Sequence, residues 1–128
     1  MKLIEATADF SMASVGAFEK VKGKDFAKDV LNTTSMEVSI TALEAGEQSL
    51  YHVHRHNEEL YVVISGEGVM RIEGVDHAVA EGTVVRVAPK AARCLKNTGG
   101  KPLVFMCVQA RENSLEGYTL GDGSLAKD

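Results

Sequence analysis

The chain has 128 residues, with 14 Lys and Arg against 18 Asp and Glu, a net charge of −4. At 13.7 kDa it is one domain's worth of chain, and 45% apolar with 25% charged residues excludes wholesale disorder. The acidic balance excludes a nucleic-acid binder, which needs a basic face to neutralise phosphates.

From the N-terminus, Met1–Glu5 has no apolar signal core, and Cys94 and Cys107 lie too far apart for a CxxC pair. The expectation is a cytoplasmic protein with reduced thiols. Residues 1–35 read as an N-terminal strand and short-helix segment of the same domain. Its basic run, Lys20, Lys22, Lys24 and Lys28, is interleaved with Glu19, Asp25 and Asp29 and reads as a solvated loop. Phe26, Ala27, Val30 and Leu31 recur at three- and four-residue steps, which predicts a helix over 25–32.

From residue 36 to residue 110, short apolar runs alternate with turn residues. Strands are expected over 36–43, 60–65, 69–73, 83–88, 93–97 and 103–110. Gly66-Glu67-Gly68, Gly74-Val75-Asp76, Pro89 and Asn97-Thr98-Gly99-Gly100 separate them, with His77 placed in a surface turn. Leu103–Val108 is the longest apolar run and is too short to cross a bilayer, so no membrane partner is expected. The tail, 111–128, is polar and Gly-rich; it either covers one barrel end through Tyr118 and Leu120 or stays mobile. The fold class is all-β, a sandwich or barrel of about six to ten strands.

The residues that carry chemistry cluster in Tyr51-His52-Val53-His54-Arg55-His56-Asn57-Glu58-Glu59. Residues two apart on extended chain share a face, so His52 and His54 present their imidazoles together. A turn over 55–58 would bring Glu59 to them from the next strand. Two histidines and a carboxylate are a ligand set for first-row divalent ions with open coordination positions. Tyr61 and Gln109 interrupt apolar strands and are candidates to orient a ligand inside the barrel. Cys107 reads as core, and Cys94 as pointing away from the cavity.

The spacing Gly46, five residues, His52, one, His54, four, Glu59, six, Gly66 resembles the first signature motif of the cupin superfamily at every fixed position. The second motif is partial: Gly82 opens it, Pro89 falls near its proline, and Asn97 closes it. The resemblance implies a single cupin-type jelly-roll β-barrel over 36–110, with a short helical segment near the N-terminus. In metal-binding cupins the place held here by Arg93 carries a third histidine. A guanidinium cannot ligate a metal, and about 4 Å from a dication it would repel it by roughly 8 kcal/mol at an effective dielectric near 20. Arg93 is therefore expected to anchor an anionic ligand; the competing structural role is an ion pair with Glu59. His56 is available as a replacement metal ligand.

Two classes of function follow. One is a binding module that holds a divalent ion (Fe, Mn, Ni or Zn) and a small anionic organic molecule. The other is a metal-dependent enzyme, a dioxygenase or isomerase on a small acid or sugar, with Glu58 or Tyr61 as acid-base candidate. A metal-free binder is the variant of either. Leu60, Val62 and Ile64 alternate with Glu59, Tyr61 and Val63, so this strand is apolar on its outer side too. A second copy, as a homodimer, or the N-terminal segment must cover it.

Overall fold

The structure is a computed structural model and describes residues 1–118 and 121–127. A hairpin pairs β1 (Lys2–Ala6) with β2 (Ser11–Ser14), and a 3₁₀ turn at Phe18–Lys20 leads to β3 (Gly23–Phe26) and the one-turn helix α1 (Lys28–Leu31). The rest is β4 (Glu37–Leu43), β5 (Asn57–Ser65), β6 (Glu67–Ile72), β7 (Val75–Ala80), β8 (Val84–Val87), β9 (Arg93–Asn97) and β10 (Leu103–Arg111).

Five strands form a large antiparallel sheet in the order β3-β4-β10-β5-β8, and three form a small one, β7-β6-β9. Residues 47–52 lie along the free edge of β9: His52 N donates to Arg93 O at 3.1 Å, and Arg93 N to His52 O at 2.9 Å. This pairing carries the histidine segment to the mouth between the two sheets. Leu43, Val63, Met70, Val87, Leu95, Leu103 and Phe105 fill the space between them. The result is the all-β jelly-roll barrel that the resemblance implies.

Gly66 explains how one chain builds both sheets. β5 and β6 are nearly continuous, yet they belong to different sheets, and the chain turns the corner at Gly66 with φ +87°. A Cβ there would meet Pro102 O at 2.5 Å, and one at Gly68 would meet Lys96 O at 2.2 Å. Gly66-Glu67-Gly68 is thus a corner between sheets, not a hairpin turn between paired strands. Asn97 holds the return: its Nδ2 donates to Leu43 O at 2.9 Å and Lys101 O at 2.8 Å, and its Oδ1 accepts from Gly99 N.

Three expectations are corrected. The helix over 25–32 shrinks to Lys28–Leu31, because Asp25 and Phe26 pair with Ile40 and Ser39 on β4. The separator Gly74-Val75-Asp76 is only half a turn; Glu73 and Gly74 take positive φ, and Val75 begins β7. His77 lies on that strand, exposed. β7 is an edge strand buried only at Val79, so it lacks the alternation that marks a half-buried strand. In the tail, Tyr118 is exposed, and Leu120 lies outside the described residues.

The outer face of the large sheet carries a second, smaller core. Val21, Ile40, Ala42 and Val104 are buried there, with Val15, Ile64 and Met106 packed against them. The N-terminal segment therefore covers the β4 side and reaches Ile64, while Leu60 stays exposed. No helix among the described residues is long and apolar enough to cross a membrane.

Candidate functional site

Glu59 is the centre of the site. It is buried on the inner face of β5, opposite Gln109, with Tyr61 two residues on opposite Cys107. Its Oε1 accepts from the Tyr61 hydroxyl at 2.8 Å, and its Oε2 from Cys107 Sγ at 3.0 Å. His54 Nε2 lies 3.4 Å and His52 Nε2 3.7 Å from Oε1. Arg93, with no exposure, brings Nε to 3.2 Å from the same oxygen, while its NH2 group donates to Ala88 O at 3.4 Å.

Burial alone pushes the Glu59 carboxyl up. The hydrogen bonds from Cys107 and Tyr61 and the charges of His54 and Arg93 outweigh it, and the carboxyl sits below its ordinary value. Glu59 is ionised. Burial holds the His54 imidazole below its ordinary value even against Glu59, which favours its neutral form near pH 7; its charge acts on Glu59 only in the acid range where the carboxyl titrates. Burial, with Glu59 beside them, pushes Tyr61 and Cys107 up; both keep their protons and act as donors.

These donors fit a divalent ion. Ligand atoms bound about 2.1 Å from one metal at a tetrahedral angle lie about 3.4 Å apart, and the His54–Glu59 separation is 3.4 Å. His52 Nδ1 donates to Leu50 O at 2.8 Å, which fixes the tautomer and leaves the Nε2 lone pair facing Glu59. Ligand atoms of His52, His54 and Glu59 all lie within 4.8 Å of one another.

His56, expected as a further ligand, is not in that group. The chain turns at Arg55–His56 before β5 begins, so the parity of His52 and His54 does not extend to it. It lines a separate surface depression with Arg55, Lys90 and Arg111. Arg93 Nε lies 3.2 Å from Glu59 Oε1, the geometry of the competing ion-pair reading, while its NH1 group is buried without a hydrogen-bond partner. Glu58 faces outward, 3.6 Å from Arg86 Nε.

The cavity in front of the site measures about 270 Å³. Its lining includes His52, His54, Glu59, Tyr61 and Gln109, with Lys24 and Thr41 at the β3–β4 side. Gln109 Oε1 accepts from Asn57 Nδ2 at 2.7 Å, which leaves its NH2 group as a donor. Thr41 Oγ1 is buried without a hydrogen-bond partner. Lys24 lies over the Phe26 ring, its Nζ 4.7 Å from the centroid. Lys24, Thr41 and Cys107 escaped the sequence reading. The signal for Cys107 and Gln109 is their shared parity on β10, which needs the β10–β5 register to connect to Glu59.

A Cupin domain family model matches residues 39–109. A cupin protein of Bacteroides fragilis is 33% identical, with 94% of this chain and 100% of that one covered at a TM-score of 0.86. A predicted oxalate decarboxylase of Thermotoga maritima is 27% identical at a TM-score of 0.57, over 58% of this chain and 64% of that one. A sugar phosphate isomerase of Silicibacter pomeroyi shares the fold at 21% identity and a TM-score of 0.60, over 70% of this chain and 60% of its own. An uncharacterized protein of Methanocaldococcus jannaschii is 31% identical over 62 residues, 48% of this chain; the match spans half the length of that relative. The family match, over the same strands that carry the site, establishes that the chain belongs to the cupin family.

Proposed function

We propose that this cupin is a binding module. It holds one divalent ion (Fe, Mn, Ni or Zn) through His52, His54 and Glu59, and a small anionic organic molecule beside it. The ion, when bound, supplies positive charge and Lewis acidity to the anion. Lys24 at the β3 edge, the free Gln109 NH2 group and the unpartnered Thr41 hydroxyl supply donors for the rest of the molecule. Tyr61 shapes the cavity wall but spends its hydroxyl on Glu59. Arg93 adds a charge beside Glu59. A dication and a guanidinium against one carboxylate leave an excess of positive charge in a buried site, and an anionic ligand offsets it.

One observation favours binding over turnover. The acid-base candidates near the cavity are committed: Tyr61 and Cys107 are held protonated as donors to Glu59, and Glu58 pairs with Arg86 outside. The second reading, a metal-dependent isomerase or dioxygenase, draws on the open positions a three-ligand ion keeps and on the predicted oxalate decarboxylase among the similar structures. The same reading places the protein in the cytoplasm, where Cys94 and Cys107 stay free thiols, as a homodimer.

Elemental analysis of the purified protein, followed by titration with Ni²⁺ and Zn²⁺ in the presence and absence of acetate, oxalate and phosphate, tests this. One ion per chain is expected, with an anion bound at least tenfold more tightly to the loaded protein. A wild type that takes up none of Fe, Mn, Ni or Zn would sink the metal site. Catalytic consumption of an added acid or sugar phosphate would move the assignment to the enzyme.

A further inference from the structure

The two sheets part along one side of the barrel. β3 is an edge of the large sheet, and residues 47–52 run along β9 at the edge of the small one. Among the described residues no backbone hydrogen bond joins these two edges, so a seam lies between them, beside the histidine segment. A second cavity, of about 450 Å³, occupies this seam. It shares Lys24, Thr41, Ser49 and His52 with the cavity in front of Glu59, so the two adjoin at these four residues.

The shared residues make a polar neck with donors to spare. Thr41 is 7% exposed, and its Oγ1 has no hydrogen-bond partner. Ser49 Oγ accepts from Leu95 N at 2.9 Å and keeps its own proton to give. Lys24 Nζ rests over the Phe26 ring, 4.7 Å from its centroid, rather than on a carboxylate. A buried hydroxyl left without a partner costs stability. An oxygen-bearing group of a ligand, placed at the neck, satisfies the hydroxyl and meets the cation at once.

Past the neck the chemistry changes. The outer cavity continues along Ala42, Leu43 and Leu50. Ala42 and Leu43 are buried, whereas Leu50 is 84% exposed. The polar residues here are Gln48 and Glu47, and Glu47 turns its carboxylate to the Glu44 N–H at 3.2 Å. A compact anion held at the metal ligands would leave this larger space empty and Leu50 bare. A hydrocarbon chain running out through the seam would remove apolar surface from water on both sides.

We propose that the anionic ligand is an amphiphilic carboxylate. Its head lies between the metal ligands and the Lys24–Thr41–Ser49 neck, and its hydrocarbon chain leaves the barrel through the seam, against Leu43 and Leu50. This rests on the metal-and-anion reading above and names the class of ligand.

Calorimetric titration of the Zn²⁺-loaded full chain with acetate, butanoate, hexanoate and octanoate tests it. Full burial of one CH₂ group is worth roughly fourfold in affinity, and a chain in an open seam should gain about twofold for each. Octanoate should therefore bind about fiftyfold more tightly than acetate. Leu50→Glu puts a charge in the seam, at a side chain exposed enough to leave the fold intact, and should cut the octanoate-to-acetate ratio at least fivefold. Val53→Glu, 56% exposed and outside both cavities, should keep the wild-type ratio. In the wild type, octanoate should also shift the amide resonances of Gly23, Leu43 and Leu50, which acetate leaves in place. Equal affinities for acetate and octanoate would overturn the seam and leave the metal-and-anion reading standing. A gain with chain length that Leu50→Glu does not reduce would put the chain elsewhere on the surface and overturn the seam as well. Absence of Zn²⁺ uptake, or of binding by any of the four carboxylates, would overturn that reading and this inference with it.

Discussion

The two faces of the large sheet are made by the same strands and do opposite things. On β5, Glu59 and Tyr61 look into the barrel, while Leu60 and Val62 look out. On β10, Phe105, Cys107 and Gln109 line the cavity, and Met106 packs against the outer cluster. The inner face carries buried polar groups gathered around Glu59; the outer face carries mainly hydrocarbon, with the Arg86 pairs to Glu58 and Glu112 beside Leu60. Because side chains alternate with a period of two, chemistry and assembly are written into interleaved positions of one strand. Changes on one face should leave the other's property intact.

The largest effect should come from the ligands themselves. His52→Ala combined with His54→Ala removes two of three donors and should weaken Ni²⁺ or Zn²⁺ binding by at least a thousandfold in a calorimetric titration. The sedimentation coefficient should not change, since neither residue lies on the outer face. A change in both properties would break the separation between faces.

Arg93→Met sharpens the comparison from within the barrel. The guanidinium is fully buried and faces Glu59 at 3.2 Å. Removing one partner of a buried pair costs about 3–5 kcal/mol, and the low end applies here because Tyr61 and Cys107 still donate to the carboxylate. A lower melting midpoint without metal, recovered when Zn²⁺ is added, and at least tenfold tighter metal binding are expected. If metal affinity falls instead, Arg93 supports the ligand set rather than opposing the ion.

The donors to Glu59 come next. Tyr61→Phe and Cys107→Ala each remove one hydrogen bond to a buried carboxylate, with a cost of about 1–3 kcal/mol in thermal or denaturant unfolding. Each should also weaken metal binding by up to about tenfold through a less well-held ligand. A variant with normal stability and normal metal affinity would show that its donor is dispensable.

The site was legible where its residues are close in sequence. His52, His54 and Glu59 lie within one short segment, and two-residue parity plus one turn brings them together. Cys107 reaches the same carboxylate from 48 residues away, and its strand looks like plain core until the pairing of β10 with β5 is known. Arg93 was legible as a departure from the motif, but its direction was not. Only the bridge between His52 and Arg93 shows that its backbone lies beside the histidine segment and its side chain against Glu59. The barrel strands announced themselves by turn residues and β-branched runs. β7 did not, because it is exposed except at Val79 and has no buried side to set a rhythm.

The smallest effect has the most informative sign. Thr41 Oγ1 is buried in the cavity wall without a hydrogen-bond partner, and such a hydroxyl costs stability. Valine has nearly the same shape and no hydroxyl, so Thr41→Val should leave the melting midpoint unchanged or raise stability by up to about 1 kcal/mol. Removing a polar group that serves only the fold would do the reverse. If the hydroxyl serves a bound anion, the more stable variant should bind that anion several-fold more weakly, with metal affinity and dimer mass unchanged. A destabilised Thr41→Val protein would mean that the hydroxyl has a partner in solution and serves the fold. A stabilised one with undiminished binding of acetate, oxalate and phosphate would remove Thr41 from the ligand site and leave Lys24 and Gln109 as its donors.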